Sequence, residues 1–430
     1  MTAMAANSRT YGGVHGLWIV AFLILSATMR MSALLLAWGT APYGDPDNYL
    51  RLAHYLLAGD GLSLPRSPGA EPIPTGLFPP ALPLLLAVVG LIAPLNALTL
   101  CILNTLVDCA AALLLARLAR LIGVERAAVP AALAYLVWPS IAFMSPLAYK
   151  EGLVIALLLA TTVAMLEQAR RPGFRWAALG GLGAGALLLT QPALLTFLPI
   201  LFVALRTQFA DWRRWWAASL VAASVTLLVM LPWWIRNALV FGQFIPLTTS
   251  GGLALWVGVQ PDGGVVWQAP PKNWKTVSEI EANRLATVDA WQIIQSDPLG
   301  YLGRCLVKFP GSFFYSNWAI DQLLLAKHQR WPWMIHSTSL RFGPTIVELW
   351  AVAMAMIGLV KFRRHPAAWL LAACIVQVML FGIWFEFSER HRLFMTPFFL
   401  LLAGMLLGRP DVSNSEAELD NGLLAVDRQS

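Results

Sequence analysis

Long apolar runs alternate with short polar linkers along most of the chain, and this alternation predicts an all-α, multi-pass membrane protein. A helix needs about 20 predominantly apolar residues to cross the hydrocarbon core of a bilayer, and about ten runs approach that length. These predicted spans are 17–38, 97–121, 127–144, 151–167, 176–190, 192–206, 215–235, 343–360, 367–385 and 393–408. A further apolar run, 78–94, is short and proline-rich, which favours a re-entrant or juxtamembrane segment over a crossing.

The basic residues predict which side of the membrane each linker faces. They form clusters after the second, fourth, sixth and eighth predicted spans: Arg117, Arg120 and Arg126; Arg170, Arg171 and Arg175; Arg206, Arg213 and Arg214; Lys361, Arg363 and Arg364. If 78–94 does not cross, all these clusters lie on one side together with Arg9. The positive-inside rule makes that side the cytoplasm. Both termini are then cytoplasmic, and the remaining polar loops face outward.

This topology divides the chain into four parts. Residues 1–235 form an N-terminal transmembrane module whose first outer loop is 39–96. Residues 236–342 form an outer-face loop region with juxtamembrane helices, in which 276–297 has a helical pattern. Residues 343–408 carry the C-terminal transmembrane helices. The polar, acidic stretch 409–430 is predicted to be a flexible cytoplasmic tail.

Composition and charge exclude several classes of protein. Of the 430 residues, 58% are hydrophobic and 12% are charged, roughly half the charged share of about 25% that is typical of a soluble domain. The net charge of +7 is dispersed in the linker clusters, so no nucleic-acid partner is predicted. Cys101, Cys109, Cys305 and Cys374 form no CxxC pair, which argues against a disulfide framework and a thiolate metal site.

The stretch 43-YGDPDNYLRLAHYLLAGDG-61 carries the first candidate chemistry, because Asp45 and Asp47 directly precede an amphipathic run. Aspartate is a favoured N-cap, since its oxygens accept hydrogen bonds from the free N–H groups of a first helical turn. A carboxylate beside a lipid headgroup can instead act as a general base toward a hydroxyl. The residues alone leave both interpretations open.

Other ionisable residues are predicted on the same outer face. In the turn 145-SPLAYKEG-152, Lys150 and Glu151 either form a pair at the membrane edge or complete an external site in which Lys150 binds a phosphate. Arg236 follows Trp233 and Trp234, where it suits either phosphate binding or interfacial anchoring.

The late segment 386-EFSERHR-392 and the first span add further candidates. The segment contains Glu386, Glu389, Arg390, His391 and Arg392 at a position where the topology signal does not favour cations. Arg30 lies inside the first span, and an ionisable residue there is a functional hypothesis by default. Several cations beside a carboxylate pair suit a phosphate-bearing lipid.

Taken together, these motifs resemble the GT-C superfamily of integral-membrane glycosyltransferases, nearest to its aminoarabinose-transferase-like and protein-mannosyltransferase-like branches. The resemblance covers residues 17–408. It is carried by DPDNY with the following helix, by the PPALPLLLA segment, by PWWIRN through FGQFIP to GGLALW, and by RHRLFMTP.

The resemblance implies a reaction and its partners. A sugar carried on a polyprenyl phosphate would be transferred, with inversion, to an acceptor hydroxyl at the outer, periplasmic face of a bacterial-type inner membrane. The expected acceptor is a glycolipid, a lipopolysaccharide component or another cell-envelope glycan. The base would be Asp45 or Asp47, because relatives carry Asp-Glu where this chain has Asp45-Pro46-Asp47.

The resemblance also implies residues around the donor. Arg236, Arg390, His391 and Arg392 are similar to the cations that relatives place around the phosphate, and Lys150 and Arg30 join them as candidates. Tyr49, Glu151, Asn237 and Trp256 are the candidates for contact with substrate.

No cofactor is predicted to be required. Oligosaccharyltransferase members of the superfamily bind a metal through acidic residues; Glu151 lies near the matching turn but has no DxD partner, so a divalent metal stays open.

Two other functions are considered. A lipid-linked-sugar flippase would line a path through the spans with polar residues. Here the spans are nearly uncharged, and Arg30 and Asp108 are the main exceptions. A non-catalytic envelope-assembly protein would tolerate both Asp45→Asn and Asp47→Asn.

Overall fold

The computed structural model describes residues 2–67, 69–261, 268–313, 318–327 and 338–408, and most of this part of the chain is helical. The predicted tail 409–430 lies outside the described residues. The helices are α1 (Thr2–Ala37), α2 (Asp45–Ala58), α3 (Ala81–Gly90), α4 (Ala97–Leu121), α5 (Ala128–Leu136), α6 (Pro139–Met144), α7 (Glu151–Arg170), α8 (Arg175–Leu188), α9 (Phe197–Ala204), α10 (Trp212–Phe241), α11 (Gly251–Val259), α12 (Glu279–Ser296), α13 (Pro298–Phe313), α14 (Trp318–Lys327), α15 (Thr338–Lys361), α16 (Pro366–Gly382), α17 (Glu389–Arg392) and α18 (Thr396–Gly404). Strands β1 (Ser63–Pro65) and β2 (Pro72–Pro74) form an antiparallel hairpin, with Leu64 opposite Ile73.

Among the described residues, six helical segments are long and apolar enough to cross a membrane, as an all-α membrane protein requires. They are Gly16–Ala37, Ala97–Leu121, Glu151–Arg170, Trp212–Phe241, Phe342–Lys361 and Glu389–Leu407. Each corresponds to one of the ten predicted spans. The other four, 127–144, 176–190, 192–206 and 367–385, contain shorter or interrupted helices, so the count of ten crossings stays a prediction.

The predicted span 127–144 is divided between α5 and α6. Trp138 has extended backbone angles and Pro139 begins α6. This break has a steric cause, because the ring of a proline disfavours the helical conformation of the residue before it.

Helix α10 continues past its predicted end at residue 235 and stops at Phe241. Pro232 lies inside it, and Gly242 ends it with a φ of 67°. Glycine tolerates this left-handed conformation, which other residues rarely adopt. Arg236 therefore lies inside the helix, whereas the predicted span had ended just before it.

In the first outer loop, α2 and α3 pack against each other. Tyr49, Leu52 and Ala53 of α2 share a buried cluster with Leu82 and Leu86 of α3. A helix of the length of α3 spans about 15 Å. That is half the thickness of the hydrocarbon core, as expected for a segment that does not cross.

The segment after α10 contains more helix than the sequence predicts: α12 matches the predicted helix at 276–297, and α11, α13 and α14 surround it in the chain. Polar contacts tie this segment to the rest of the molecule. Glu279 accepts hydrogen bonds from Thr75 Oγ1 at 2.8 Å and from the Gly76 amide at 2.7 Å, which attaches α12 to the first outer loop. The buried Lys308 ammonium donates to the carbonyls of Gly258, Ile383 and Phe385, which attaches α13 to the chain before α17.

The largest apolar core joins α4, α5 and α7 to the C-terminal helices. Helix α7 begins close to α4, since a Cβ added to Gly152 would lie 3.0 Å from Asp108 Oδ1. This packing brings the start of α7 beside the first outer loop.

Candidate active site

Asp45 and Asp47 both lie in the first turn of α2. Gly44, with a φ of 68°, precedes the helix, and Pro46 occupies its first turn, where proline is well tolerated. No side chain caps this helix through a hydrogen bond, so capping does not account for either aspartate. Their negative charge still suits a helix N-terminus.

The two aspartates have different partners. Asp47 Oδ2 lies 3.1 Å from Arg51 Nε, one helical turn further along α2. Asp45 Oδ2 instead accepts a hydrogen bond from Arg390 Nη1 at 2.8 Å. Residues two positions apart on a helix do not face the same side. The first turn of α2 therefore separates two environments.

Arg390, in α17, connects three distant parts of the chain. Besides Asp45, its guanidinium donates through Nε to Glu151 Oε1, the first residue of α7, at 2.6 Å. The guanidinium also lies over the Tyr149 ring, 4.5 Å from its centroid, and 5.8 Å from the centroid of Trp318. Charge-assisted hydrogen bonds and aromatic faces both stabilise a buried guanidinium. We call Asp45, Tyr149, Lys150, Glu151, Glu386 and Arg390 the Arg390 cluster.

The cluster keeps Asp45 ionised. Burial raises the pKa of Asp45, but the charge and the hydrogen bond of Arg390 lower it more strongly, so that the pKa lies below its usual range. Burial raises the pKa of Glu386, with Arg390 acting in the opposite direction. The pKa of Asp45 is therefore lowered from its usual value, whereas that of Glu386 is raised.

Two groups in the cluster have unused bonding capacity. Burial lowers the pKa of Lys150, although Glu151 opposes that effect. Within the described part of the chain, the Lys150 ammonium forms no hydrogen bond and no ion pair. Glu151 is 1% exposed, and its second oxygen, Oε2, has no hydrogen-bond partner among the described residues. An anion can therefore bind Lys150, and a hydroxyl group can donate to Glu151.

Two tyrosines border the cluster as neutral phenols. Burial and the charge of Asp45 raise the pKa of Tyr49 well above its usual range, and the ring contacts Phe78 edge-on. Burial also raises the pKa of Tyr149, whose hydroxyl accepts a hydrogen bond from Trp318 Nε1 at 3.1 Å.

His391 and Arg392, the neighbours of Arg390 in sequence, have structural partners. His391 Nδ1 accepts a hydrogen bond from the Ser388 amide at 3.3 Å and completes a capping box at the start of α17. Arg392 is fully buried, pairs with Glu348 and donates to the Ser312 carbonyl at 3.1 Å. The structure does not direct Arg392 toward Asp45.

Arg30 forms a separate ion pair between spans. Its Nη2 lies 2.7 Å from Asp108 Oδ2, and its Nη1 donates to Ser26 Oγ and to the Leu136 carbonyl. Both charged side chains are at most 5% exposed. The pair links α1 to α4, and in the described part of the chain it forms no hydrogen bond or ion pair with the Arg390 cluster.

Arg236, Asn237 and Trp256 lie in other polar groups. Arg236 donates to the Leu62 carbonyl and to Asn237 Oδ1, both at 3.0 Å, and Asn237 is fully buried. Trp256 Nε1 donates to Asp289 Oδ2 at 2.6 Å, which fixes α11 against α12. In the part of the chain that the structure describes, none of the three forms a hydrogen bond or an ion pair with the Arg390 cluster.

The cluster does not fit a divalent metal. The Arg390 guanidinium lies between the Asp45 and Glu151 carboxylates and bonds to both. Among the residues described, no group of three or more His, Cys, Asp or Glu side chains is arranged to hold a metal ion. Arg390 supplies the positive charge that a cation would otherwise bring to these two carboxylates.

Sequence reasoning missed part of this arrangement. Glu386 was noticed only as a member of a charged segment, and Tyr149 only as a neighbour of Lys150. Trp318 had no signal in the sequence, because the value of an aromatic ring beside a guanidinium depends on long-range packing. The charged residues of 386–392 were recognised, but the sequence did not show which of them face the outer loop.

No protein-family model matches the sequence. No curated protein matches it either.

Solved structures do match, among them structures of the oligosaccharyltransferase of Archaeoglobus fulgidus. A crystal structure of that enzyme with Zn and sulfate superposes with a TM-score of 0.55 at 15% identity, covering 90% of this chain and 48% of the other. A crystal structure tethered to an acceptor peptide containing the NVT sequon has a TM-score of 0.55 at 14% identity, covering 91% and 49%. The enzyme in complex with an inhibitory peptide and a dolichol-phosphate has a TM-score of 0.52 at 14% identity, covering 95% and 52%.

These similarities establish the fold. The chain shares the fold of this oligosaccharyltransferase. The GT-C class that the sequence resemblance implies stays a prediction. The chain spans about half the length of those solved structures. The aminoarabinose-transferase-like or mannosyltransferase-like branch stays a prediction.

Proposed function

We propose that the protein is an inverting membrane glycosyltransferase that transfers a sugar from a polyprenyl phosphate to a hydroxyl of a glycolipid or cell-envelope glycan. The observation that carries this proposal is the Arg390 cluster. It holds an ionised Asp45 carboxylate beside the Lys150 ammonium and Glu151 Oε2, and neither of these two groups has a partner among the described residues. The fold, shared with an oligosaccharyltransferase, supports the same class of reaction. The site would face the periplasm, in line with the charge pattern of the linkers.

In this reaction Asp45 is the general base. Its carboxylate takes the proton of the acceptor hydroxyl as the oxygen attacks the anomeric carbon. The bond between that carbon and the phosphate oxygen breaks, and its electron pair leaves with the polyprenyl phosphate. Attack from the face opposite the leaving group inverts the anomeric centre.

Lys150 stabilises the leaving phosphate. Its ammonium has no partner within the described residues, so binding a phosphate displaces no internal ion pair. Charge develops on the phosphate oxygen as the sugar departs, and a fixed cation at that position lowers the barrier.

Arg390 and Glu151 position these groups. Arg390 holds the Asp45 carboxylate at 2.8 Å and keeps it ionised, while Glu151 anchors the opposite side of the guanidinium. Glu151 Oε2 accepts a hydrogen bond from a hydroxyl of the bound sugar or acceptor. Tyr49, next to Asp45, shields the site from one side. We assign no role at the phosphate to Arg30 or Arg392, since each has a buried carboxylate partner.

The lipids that co-purify with the detergent-solubilised protein test the donor class. We expect mass spectrometry to find a polyprenyl phosphate, bare or glycosylated, in wild-type preparations. Lys150→Ala should retain about tenfold less of it, which corresponds to about 1.4 kcal/mol of binding free energy. Lys272→Ala, at an exposed lysine outside the Arg390 cluster, is the matched control and should retain the wild-type amount.

Two results would count against the proposal. Bulk phospholipids alone in gentle wild-type preparations would remove the support for a polyprenyl-phosphate donor. Equal retention by Lys150→Ala and wild type would remove Lys150 from the phosphate site.

A further inference from the structure

Lys308, in α13, is a buried cation outside the Arg390 cluster. The residue is 1% exposed, and its ammonium donates to the carbonyls of Gly258 at 2.6 Å, Ile383 at 2.9 Å and Phe385 at 3.1 Å. A lysine ammonium has three N–H donors, and these three carbonyls use all of them. Among the residues that the structure describes, Lys308 forms no ion pair with a carboxylate. Backbone dipoles therefore balance its charge.

The burial of this lysine is directed toward the protein. Lysine is rarely fully buried, because its charge is costly to remove from water. The outward face of α13 is nevertheless apolar and exposed, with Leu299, Leu302, Leu306 and Val307. The inward face carries Lys308 together with Tyr301, Cys305 and Ser312, which recur at helical spacing. The arrangement trades an exposed ammonium for three specific contacts.

Two of those contacts lie at the C-terminal ends of helices. Gly258 is in the last turn of α11, and Ile383 directly follows α16. The last carbonyls of a helix have no partner within it, and the negative end of the helix dipole lies there. A cation satisfies both requirements. Lys308 therefore joins the ends of α11 and α16 to the segment that leads to α17.

The backbone of segment 383–386 is bonded at each of its four residues to α11 or α13. The ammonium supplies two of these bonds. The Tyr301 hydroxyl donates to the Trp384 carbonyl at 2.7 Å. The Glu386 amide donates to the Ala254 carbonyl at 3.0 Å. The two outer-face helices thus fix the position of the whole segment.

Helix α11 also leaves this segment no room to move toward it. A Cβ added to Gly258 would lie 2.7 Å from the carbonyl carbon of Phe385 and 2.8 Å from its Cα. Carbon atoms that are not bonded to each other do not approach so closely, so a larger residue at position 258 would displace the segment.

The segment leads directly into the Arg390 cluster. Glu386 belongs to both, and Arg390 follows four residues later in α17. The Arg390 guanidinium lies 2.8 Å from Asp45 Oδ2 and 2.6 Å from Glu151 Oε1. Hydrogen bonds of this kind extend to about 3.2 Å, so a displacement of α17 by about 1 Å would break them.

We infer that Lys308 is a positioning residue of the candidate active site. By holding segment 383–386 against α11 and α13, it places the Arg390 guanidinium between the two carboxylates to which it bonds. The consequence for sugar transfer rests on the proposed function, because Arg390 orients the base in that reaction. The consequence for the geometry of the Arg390 cluster does not depend on it.

Mn²⁺ reports this geometry in the full-length protein in detergent, because a displaced Arg390 leaves two carboxylates free to bind a cation. Lys308→Met keeps a long side chain and removes its donors. Gly258→Ala pushes on the same segment from α11 without changing a charge, and it carries the test if Lys308→Met does not fold. Cys305→Ala, about one turn before Lys308 on the buried face of α13, is the control for a general loosening of that helix.

We expect Mn²⁺ to raise the melting temperatures of Lys308→Met and Gly258→Ala, but not those of the wild type and Cys305→Ala. Membranes carrying either of the first two variants should release polyprenyl phosphate about tenfold more slowly than wild-type membranes, since a misplacement of about 1 Å can cost up to about a hundredfold in rate.

Two results would overturn the inference. A folded Lys308→Met or Gly258→Ala protein that melts at a lower temperature and does not respond to Mn²⁺ would make this contact a structural one alone. An equal response to Mn²⁺ in Cys305→Ala would show that any loosening of α13 displaces Arg390.

The two readouts separate this inference from the proposed function. If wild-type membranes release no polyprenyl phosphate, the proposed function fails. The comparison of melting temperatures still decides whether Lys308 positions Arg390, because it requires neither the sugar nor the acceptor.

Discussion

Two arginine–carboxylate groups in this protein differ in access and in composition. Arg30 and Asp108 are 5% and 3% exposed, and Ser26 and the Leu136 carbonyl also bind the guanidinium. In the Arg390 cluster, Arg390 is 14% exposed and Asp45 is 37% exposed. The first pair is enclosed between spans, while the second opens toward the first outer loop.

The difference shows why a buried arginine is not by itself a sign of a binding site. A sealed pair satisfies its own charges and fixes the helices that carry it. The Arg390 cluster holds one guanidinium between two carboxylates and leaves Lys150 without a partner in the described structure. An anionic ligand can bind the Lys150 ammonium. Accessibility and unmatched charge therefore distinguish the candidate active site from a structural ion pair.

The largest effect should come from breaking the sealed pair. Arg30→Met leaves the buried Asp108 carboxyl without its partner, and removal of one partner of such a pair costs about 3–5 kcal/mol. We expect the free energy of unfolding in detergent to fall by about that amount, while the activity of the folded fraction is retained. The double variant Arg30→Met with Asp108→Leu should recover most of the stability. Wild-type stability of the single variant would show that the pair is not a structural element.

Arg390→Ala should lower transfer strongly and change the metal response. Without the guanidinium, Asp45 and Glu151 repel each other, so the base is misplaced, which costs about a hundredfold in rate. The two carboxylates then become available to a cation. Mn²⁺ should raise the melting temperature of Arg390→Ala and not that of the wild type. Arg390→Lys keeps the charge without the two-pronged geometry and should show an intermediate rate.

A wild-type protein that Mn²⁺ stabilises as strongly as Arg390→Ala would contradict the assignment of Arg390 to the place of a metal ion. That comparison needs no knowledge of the sugar or the acceptor, because the readout is thermal stability.

The pH dependence of transfer should reflect Lys150 and Asp45. Because burial lowers the pKa of Lys150, its ammonium loses its proton as the pH rises through a value below 10.5, and the rate should fall there by about tenfold. Because Arg390 lowers the pKa of Asp45, the base stays ionised down to a pH below 3.8. Lys150→Arg, which stays charged, should remove the alkaline decline. If Lys150→Arg shows the same alkaline decline in rate as the wild type, the decline belongs to another group.

The smallest effect should come from Asp47→Asn. The pair of Asp47 and Arg51 is partly exposed, and such an i,i+4 pair contributes only about 0.3–0.5 kcal/mol. We expect the free energy of unfolding to change by no more than that, as measured by denaturant titration. A much larger loss would indicate that Asp47 supports the fold beyond its bond to Arg51.

The sequence predicted the helical membrane class and much of the membrane pattern because hydrophobic length is a local property. It placed Asp45, Glu151 and Arg390 at the outer face of the membrane, since each follows or precedes an apolar run. It did not predict that Arg390 bridges residues 345 and 239 positions away. Pairing of that kind depends on how the helices pack.

The same limit explains the other differences. Arg392 and Arg390 are two residues apart and look alike in sequence, yet Glu348, on another helix, pairs with Arg392 alone. Arg30 signalled a functional site, and its partner Asp108 was visible in the sequence, but their contact was not. The predicted span 215–235 stopped before Arg236, whereas the helix continues to Phe241.

The most direct test of the account is the rate at which membranes carrying the protein release polyprenyl phosphate from their own lipid-linked sugars, compared between Asp45→Asn and Asp47→Asn at equal amounts of folded protein. Loss of a general base costs about 10²–10⁴-fold, so Asp45→Asn should fall by that factor while Asp47→Asn keeps most of the wild-type rate. Equal, wild-type rates in both variants would contradict Asp45 as the base and the Arg390 cluster as the active site.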